Sequence, residues 1–348
     1  VGGGEQGKDA RVRNAEALYF APTARLAADA TENGEGGRLI LWSDKATRAF
    51  GSLSAQGGPL GGDGGFIETS GGWLDARPAY VNTLAAKGKA GQWLLDPYNI
   101  LITDFGSDAN YDASFTATGD DAVISTGVLQ TALQSGINVV VSTGAGGTQD
   151  GDISVFSANL SLDVGSPGSL TLIADRDISF GASNFTSSGG PMAVNLRAGR
   201  AGAGTVHITT TTIDSGGGDI RLGGFASAPD PYGFSVSSGA FAHAGKPTAI
   251  SIDGGTFLNA GTGNIDVNGI TAILGGAGVT IDGAATLFGR DISVNGIASG
   301  PSGAGVRVFD GRLQALHQLT VTGSGQFGGV GLFSWAELTV LPPAFDTS

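Results

Sequence analysis

Cysteine is absent from this chain of 348 residues, methionine occurs once, and there are only three histidines, His207, His243 and His317. No disulfide can form and no thiolate can hold zinc; the histidines lie far apart, without HxxxH spacing, so no metal site is expected. Positive charge is scarce, with 18 Lys and Arg against 31 Asp and Glu and a formal net charge of −13. Such a surface repels nucleic acid and anionic membranes, and no nucleic-acid partner is expected. No apolar run approaches the roughly 20 residues of a membrane-spanning helix. Proline is sparse (12 residues) while Val, Ile, Leu and Phe are plentiful, which argues against a disordered low-complexity chain.

Glycine fills the space those absences leave, at 62 residues, where about 7% of a chain is usual. It shows no three-residue period, so collagen is excluded. Instead the glycines separate short runs that alternate apolar and polar residues. Asp152-Ile153-Ser154-Val155 recurs as Asp177 to Phe180, Asp219 to Leu222, Asn264 to Val267 and Asp291 to Val294. Between them lie Leu170 to Leu172, Val206 to Ile208, Ile250 to Ile252 and Val279 to Ile281. Each reads as a strand with one buried face. The intervals are irregular, several near roughly 20 residues or twice that, the range of a solenoid repeat. One repeat cannot bury a core alone, but repeats stacked about 4.8 Å apart align their apolar residues into ladders. The steps Asn33-Gly34, Asp63-Gly64, Asp150-Gly151, Asp253-Gly254 and Asp282-Gly283 supply corners. The pattern predicts an all-β parallel β-helix, a β-solenoid with glycine-rich corners, running as one continuous body. An antiparallel sandwich of this length would need linkers between domains, and none is visible.

Two segments interrupt the pattern. Residues 126–136, TGVLQTALQSG, set Val128, Leu129, Ala132 and Leu133 at helical spacing with Gly136 as C-terminal cap. They predict one short helix lying on the solenoid or plugging a coil. Residues 225–247 are punctuated by proline and predict a loop projecting from a corner. Pro342-Pro343 would end a last strand over Leu338 to Leu341.

Residues 61–102 begin with glycine turns, continue as GGFIETSG (64–71) and close on WLLDP (93–97), where Pro97 turns the chain before a β-prone run. These segments resemble a signature of the large exoproteins of bacterial two-partner secretion, of filamentous-haemagglutinin and high-molecular-weight-adhesin type. VGGGEQGKD (1–9) is similar to a run preceding that signature, with Glu5 where an aromatic is expected, and GRLILWSD (37–44) is also typical. The resemblance covers residues 1–103; residues 104–348 continue as looser repeats. It implies a right-handed β-helix at the surface of a Gram-negative bacterium, exported unfolded through an outer-membrane two-partner-secretion transporter. Absent cysteine fits that route, because a periplasmic disulfide would jam the pore. No signal peptide is visible and the chain starts at Val1, which predicts a processed or trimmed piece of a longer polypeptide.

Parallel β-helices also carry polysaccharide lyases and hydrolases, built on clustered carboxylates. The candidates are Asp120-Asp121, Asp150 with Asp152, and Asp175 with Asp177, each weighed against a role in turns and strand entries. The Asp-Ile-Ser unit recurs as a structural repeat, which favours that role, so no catalytic residue is assigned. Gly146 to Ile153 faintly echoes a calcium-binding nonapeptide but occurs once, so no metal or cofactor is expected. Among Trp42, Trp73, Trp93 and Trp335, only Trp73, after Gly71-Gly72, reads as an exposed ring able to stack on a glycan. The expected function is a non-enzymatic adhesin or surface fibre. Its partners are a host or neighbouring-cell surface, with glycans among the ligands, and further copies stacked end to end on uncapped termini. The alternatives are a polysaccharide-processing enzyme and the stalk of a contact-dependent toxin-delivery protein.

Overall fold

A computed structural model describes residues 1–348 apart from 79, 106–120, 145–147, 201, 224–239, 334 and 342–348. It is a β-solenoid of parallel sheets, about 11 turns in all, with 52% strand and 4% helix. By contact the chain divides into two compact units, Val1–Ile173 and Ala174–Ser348.

In the first unit, the strands Arg38–Ala49, Phe66–Ala76, Gln92–Asp96, Asn138–Ser142 and Leu170–Ile173 stack in parallel register. Ile67, Trp93, Val139 and Leu170 therefore fall one above another, and so do Leu41, Thr69, Leu95, Val141 and Leu172. All of these are buried. A second ladder aligns Ile100 with Ala122 and Ile153, and Ile102 with Ile124 and Val155. A short third one stacks Leu26, Leu53 and Val81. Alternation puts every second side chain inward, and stacking turns each such residue into part of a continuous apolar column.

The second unit repeats the arrangement. Ile178, Val206, Ile250, Val279 and Val306 form one column, and Phe180, Ile208, Ile252, Ile281 and Val308 the adjacent one. Val194, Ile220, Ile265 and Ile292 form another, on a different face of the coil. Phe185, Ile213, Leu258, Leu287, Leu313 and Leu338 line the third.

The helix α1 spans Thr126–Gln134 and buries Leu129, Ala132 and Leu133, with Gly136 just past its end at φ 85°. That left-handed conformation is the one a glycine cap supplies. The loop expected over 225–247 lies largely outside the described residues. Its last part, Ala240–Phe241, pairs with Gly269 and Ile270, and His243 and Lys246 close a tight turn by exchanging backbone hydrogen bonds. The Pro342-Pro343 stop also lies outside them; the last strand is Glu337–Val340.

Residues 1–20 lie along the edge of the first long strand. Val1 accepts a hydrogen bond from the Trp42 amide, and Ala15 and Glu16 accept from Asp44 and Lys45. Ala17–Phe20 then pairs with Ala46–Ala49. Residues 1–20 thus cover that long strand's edge, and among the described residues Ala17–Phe20 becomes the outermost strand of the sheet there.

Candidate functional site

Trp73 is not an exposed ring. It is 2% accessible, within the strand Phe66–Ala76, every residue of which is buried. The Gly71-Gly72 pair before it lies inside that strand. A Cβ on Gly72 would come within 2.9 Å of the Asp44 carbonyl oxygen and 3.0 Å of the Tyr98 ring. Close approach selects glycine here, and the following tryptophan faces packed protein. Trp93 is buried too, its Nε1 donating to Thr69 Oγ1 at 3.0 Å, and Trp42 is half-buried. The exposed tryptophan is Trp335, at 84%.

Asp150 and Asp152 lie in the irregular run just before the strand Ile153–Phe156, as strand-entry residues do. Asp120 and Gly146-Gly147 lie outside the described residues. Asp175 and Asp177 sit in a bend, where the alternation of a strand does not apply, and they take different partners. Asp175 pairs with Arg200. Asp177 is buried and accepts from the Thr205 amide (2.7 Å) and hydroxyl (2.9 Å), with His243 Nε2 at 3.2 Å and Lys246 Nζ at 3.0 Å. Burial alone would raise the Asp177 pKa. The Lys246 contact and the Thr205 donors outweigh it and hold the carboxyl below its ordinary range. Asp177 fastens the 243–246 turn to the coil. His207, half-exposed on its strand, meets Asp253 at 3.0 Å, and His317 meets Asp291 at 2.7 Å. Among the described residues, no three His, Asp or Glu side chains converge to hold a metal ion.

Glu68, in the GGFIETSG segment, is fully buried on the outer face of its strand. Residues 1–14 cover it: the Gln6 amide donates to Glu68 Oε1 at 2.9 Å, Glu5 pairs with Arg38, and Asn14 Nδ2 donates to the Gly7 carbonyl and to Asp44. Burial pushes the Glu68 carboxyl up to about 8; the Gln6 amide and Ser70 pull it down, and Asp96 and Glu5 add repulsion. Its Oε2 is buried without a hydrogen-bond partner, as suits a protonated acid beneath a cover.

A half-enclosed hollow with a mixed lining lies in the first unit, a cavity of about 230 Å³ beside α1. Val128, Thr131 and Ser135, one stripe of the helix and its end, form one wall. Pro78, Tyr80 and Val81 form the other, Trp93 closes the floor and Ser125 stands on the rim. Tyr80 is 52% exposed. Elsewhere on this unit, Arg48 and Arg77 lie over the Phe50 ring at 5.1 Å beside a shallow, open hollow. No single stretch of the chain marks the cavity, because its walls come from three separated segments. Its one trace was the helical interruption at 126–136.

Compared with known proteins, the chain matches no family model and no curated sequence.

Proposed function

We propose that this chain is an extracellular surface protein of the two-partner-secretion type, acting as an adhesin or structural fibre component and not as an enzyme. One observation carries the reading. The segments that resemble the family's signature, 37–44, 64–71 and 93–97, are separated in sequence but lie on neighbouring rungs of one sheet. Residues 1–9, which carry the fourth likeness, lie over the middle rung through the Gln6–Glu68 hydrogen bond. The resemblance therefore describes one physical object. An outer-membrane transporter would pass the chain unfolded, and stacking of coil on coil would fold it outside.

The partner on this reading is a host or neighbouring-cell surface. Further copies of the chain, stacked end to end, are the second partner on this reading.

The test is adhesion of beads coated with the purified chain to epithelial and bacterial cells, run beside a panel of acidic and neutral polysaccharides assayed for cleavage. Saturable adhesion without turnover is expected. Absence of adhesion, together with turnover that Asp175→Ala with Asp177→Ala abolishes, would replace this reading with a polysaccharide lyase or hydrolase.

A further inference from the structure

We infer that the cavity beside α1 binds the ring of one uncharged sugar residue, the end or a side branch of a glycan; this rests on the adhesin reading and names its ligand class. The cavity exists because α1 departs from the coil. A further strand there would stack flush on its neighbours, whereas the helix meets the strand Tyr80–Asn82 at a distance that leaves a hollow.

The hydroxyls set the polarity of the ligand. Thr131 Oγ1 donates its proton to the Gly127 carbonyl at 2.8 Å, and Ser135 Oγ donates to the Thr131 carbonyl at 2.9 Å. Both protons are spent within the helix, so the two oxygens remain as acceptors. Tyr80 shows the opposite case: its phenol oxygen accepts from Asn82 Nδ2 at 2.7 Å and keeps its own proton to donate. A ligand satisfying this set must bring several O–H or N–H donors and at least one acceptor, as a polyhydroxylated ring does.

Charge and size narrow it further. Among the described residues no charged side chain lines the cavity, so a carboxylate or ammonium would lose its hydration without a counter-charge. A volume of about 230 Å³ corresponds to roughly seven or eight waters at about 30 Å³ each. That admits one six-membered ring but not a continuous polysaccharide. The half-exposed Tyr80 ring offers the apolar plate on which the C–H face of a pyranose packs, and Trp93 gives an apolar floor.

The experiment uses the full chain with methyl glycosides of glucose, galactose, mannose and N-acetylglucosamine, and methyl glucuronide as charged comparator. Binding is read by saturation-transfer NMR and titration. At least one neutral glycoside should bind, with a Kd of about 1 mM or tighter, and the glucuronide should not. Val128→Trp fills the hollow and Tyr80→Ala removes the plate; each should weaken binding by about tenfold or more. Thr131→Val, which keeps the side-chain shape, should weaken it less and serves where Val128→Trp does not fold. No transfer from any neutral glycoside overturns the inference, as does equal binding of the glucuronide or binding unchanged in the folded variants. Beads that adhere to cells while no glycoside binds would sink the cavity and leave the adhesin reading standing. Glycoside binding without adhesion would do the reverse.

Discussion

Thr210 holds φ 48° on an exposed corner just past the strand Val206–Thr209. Ser157, Ala182 and Asp310 hold the same left-handed backbone just past their own strands. The sequence points to glycine, asparagine and aspartate at corners. Gly254 and Gly283 do hold left-handed φ past Ile250–Asp253 and Ala277–Ile281, and Asp310 is of the expected kind; at Ser157, Ala182 and Thr210 the flanking ladders impose the turn on other side chains. A β-branched residue there costs about 1–2 kcal/mol, which asparagine largely avoids. Thr210→Asn is therefore expected to raise stability by about 1 kcal/mol in urea denaturation.

Glu68 carries the larger effect at this scale. Between its ordinary pKa of 4.5 and the folded value of about 8, the native chain holds a proton that the unfolded chain has lost. Stability contributed by this group is present below the lower value and declines as pH rises across the window, by an amount on the order of a few kcal/mol. Glu68→Gln keeps an acceptor for the Gln6 amide and has nothing to titrate. The variant should lose this part of the decline and be the more stable protein at the alkaline end. Parallel pH profiles for the two proteins would refute the neutral buried acid.

At the scale of elements, most of the strands were legible because alternation and burial coincide. Ile250-Ser251-Ile252 and Val279-Thr280-Ile281 look alike in sequence and do stack. The Asp-Ile-Ser repeat was legible only in part. Asp177 to Phe180 belongs to one ladder, and Asp219 to Leu222 and Asp291 to Val294 to another. One local pattern serves two faces of the coil, since any half-buried strand entered from a polar turn needs it. Helix α1 was legible from its spacing. The cavity, the burial of Trp73 and the cover over Glu68 were not, because each depends on segments that meet only after the coils stack. The 243–246 turn gives the prediction at this scale. Asp177→Ala leaves Lys246 and His243, both partly accessible, to turn to water, so the loss is expected at about 2–3 kcal/mol, below the full cost of an orphaned buried pair. The folded Asp177 pKa is depressed, so its contribution is present above the ordinary carboxylate pKa and fades as pH falls through the folded value. A variant whose denaturation midpoint matches the wild type would show that Asp177 does not fasten the turn.

For the whole molecule, three properties are compatible with the proposed export. The chain has no cysteine to cross-link it and carries a net charge of −13. Its coils are stabilised by contact with the preceding coil, so folding can follow emergence from a pore segment by segment. The central claim is one of place, and protease shaving of intact producing cells tests it most directly. Added protease should remove the chain while a periplasmic marker stays whole, and disruption of the outer-membrane transporter should abolish that sensitivity. A chain that stays protected until the cells are lysed, with or without the transporter, would contradict the account.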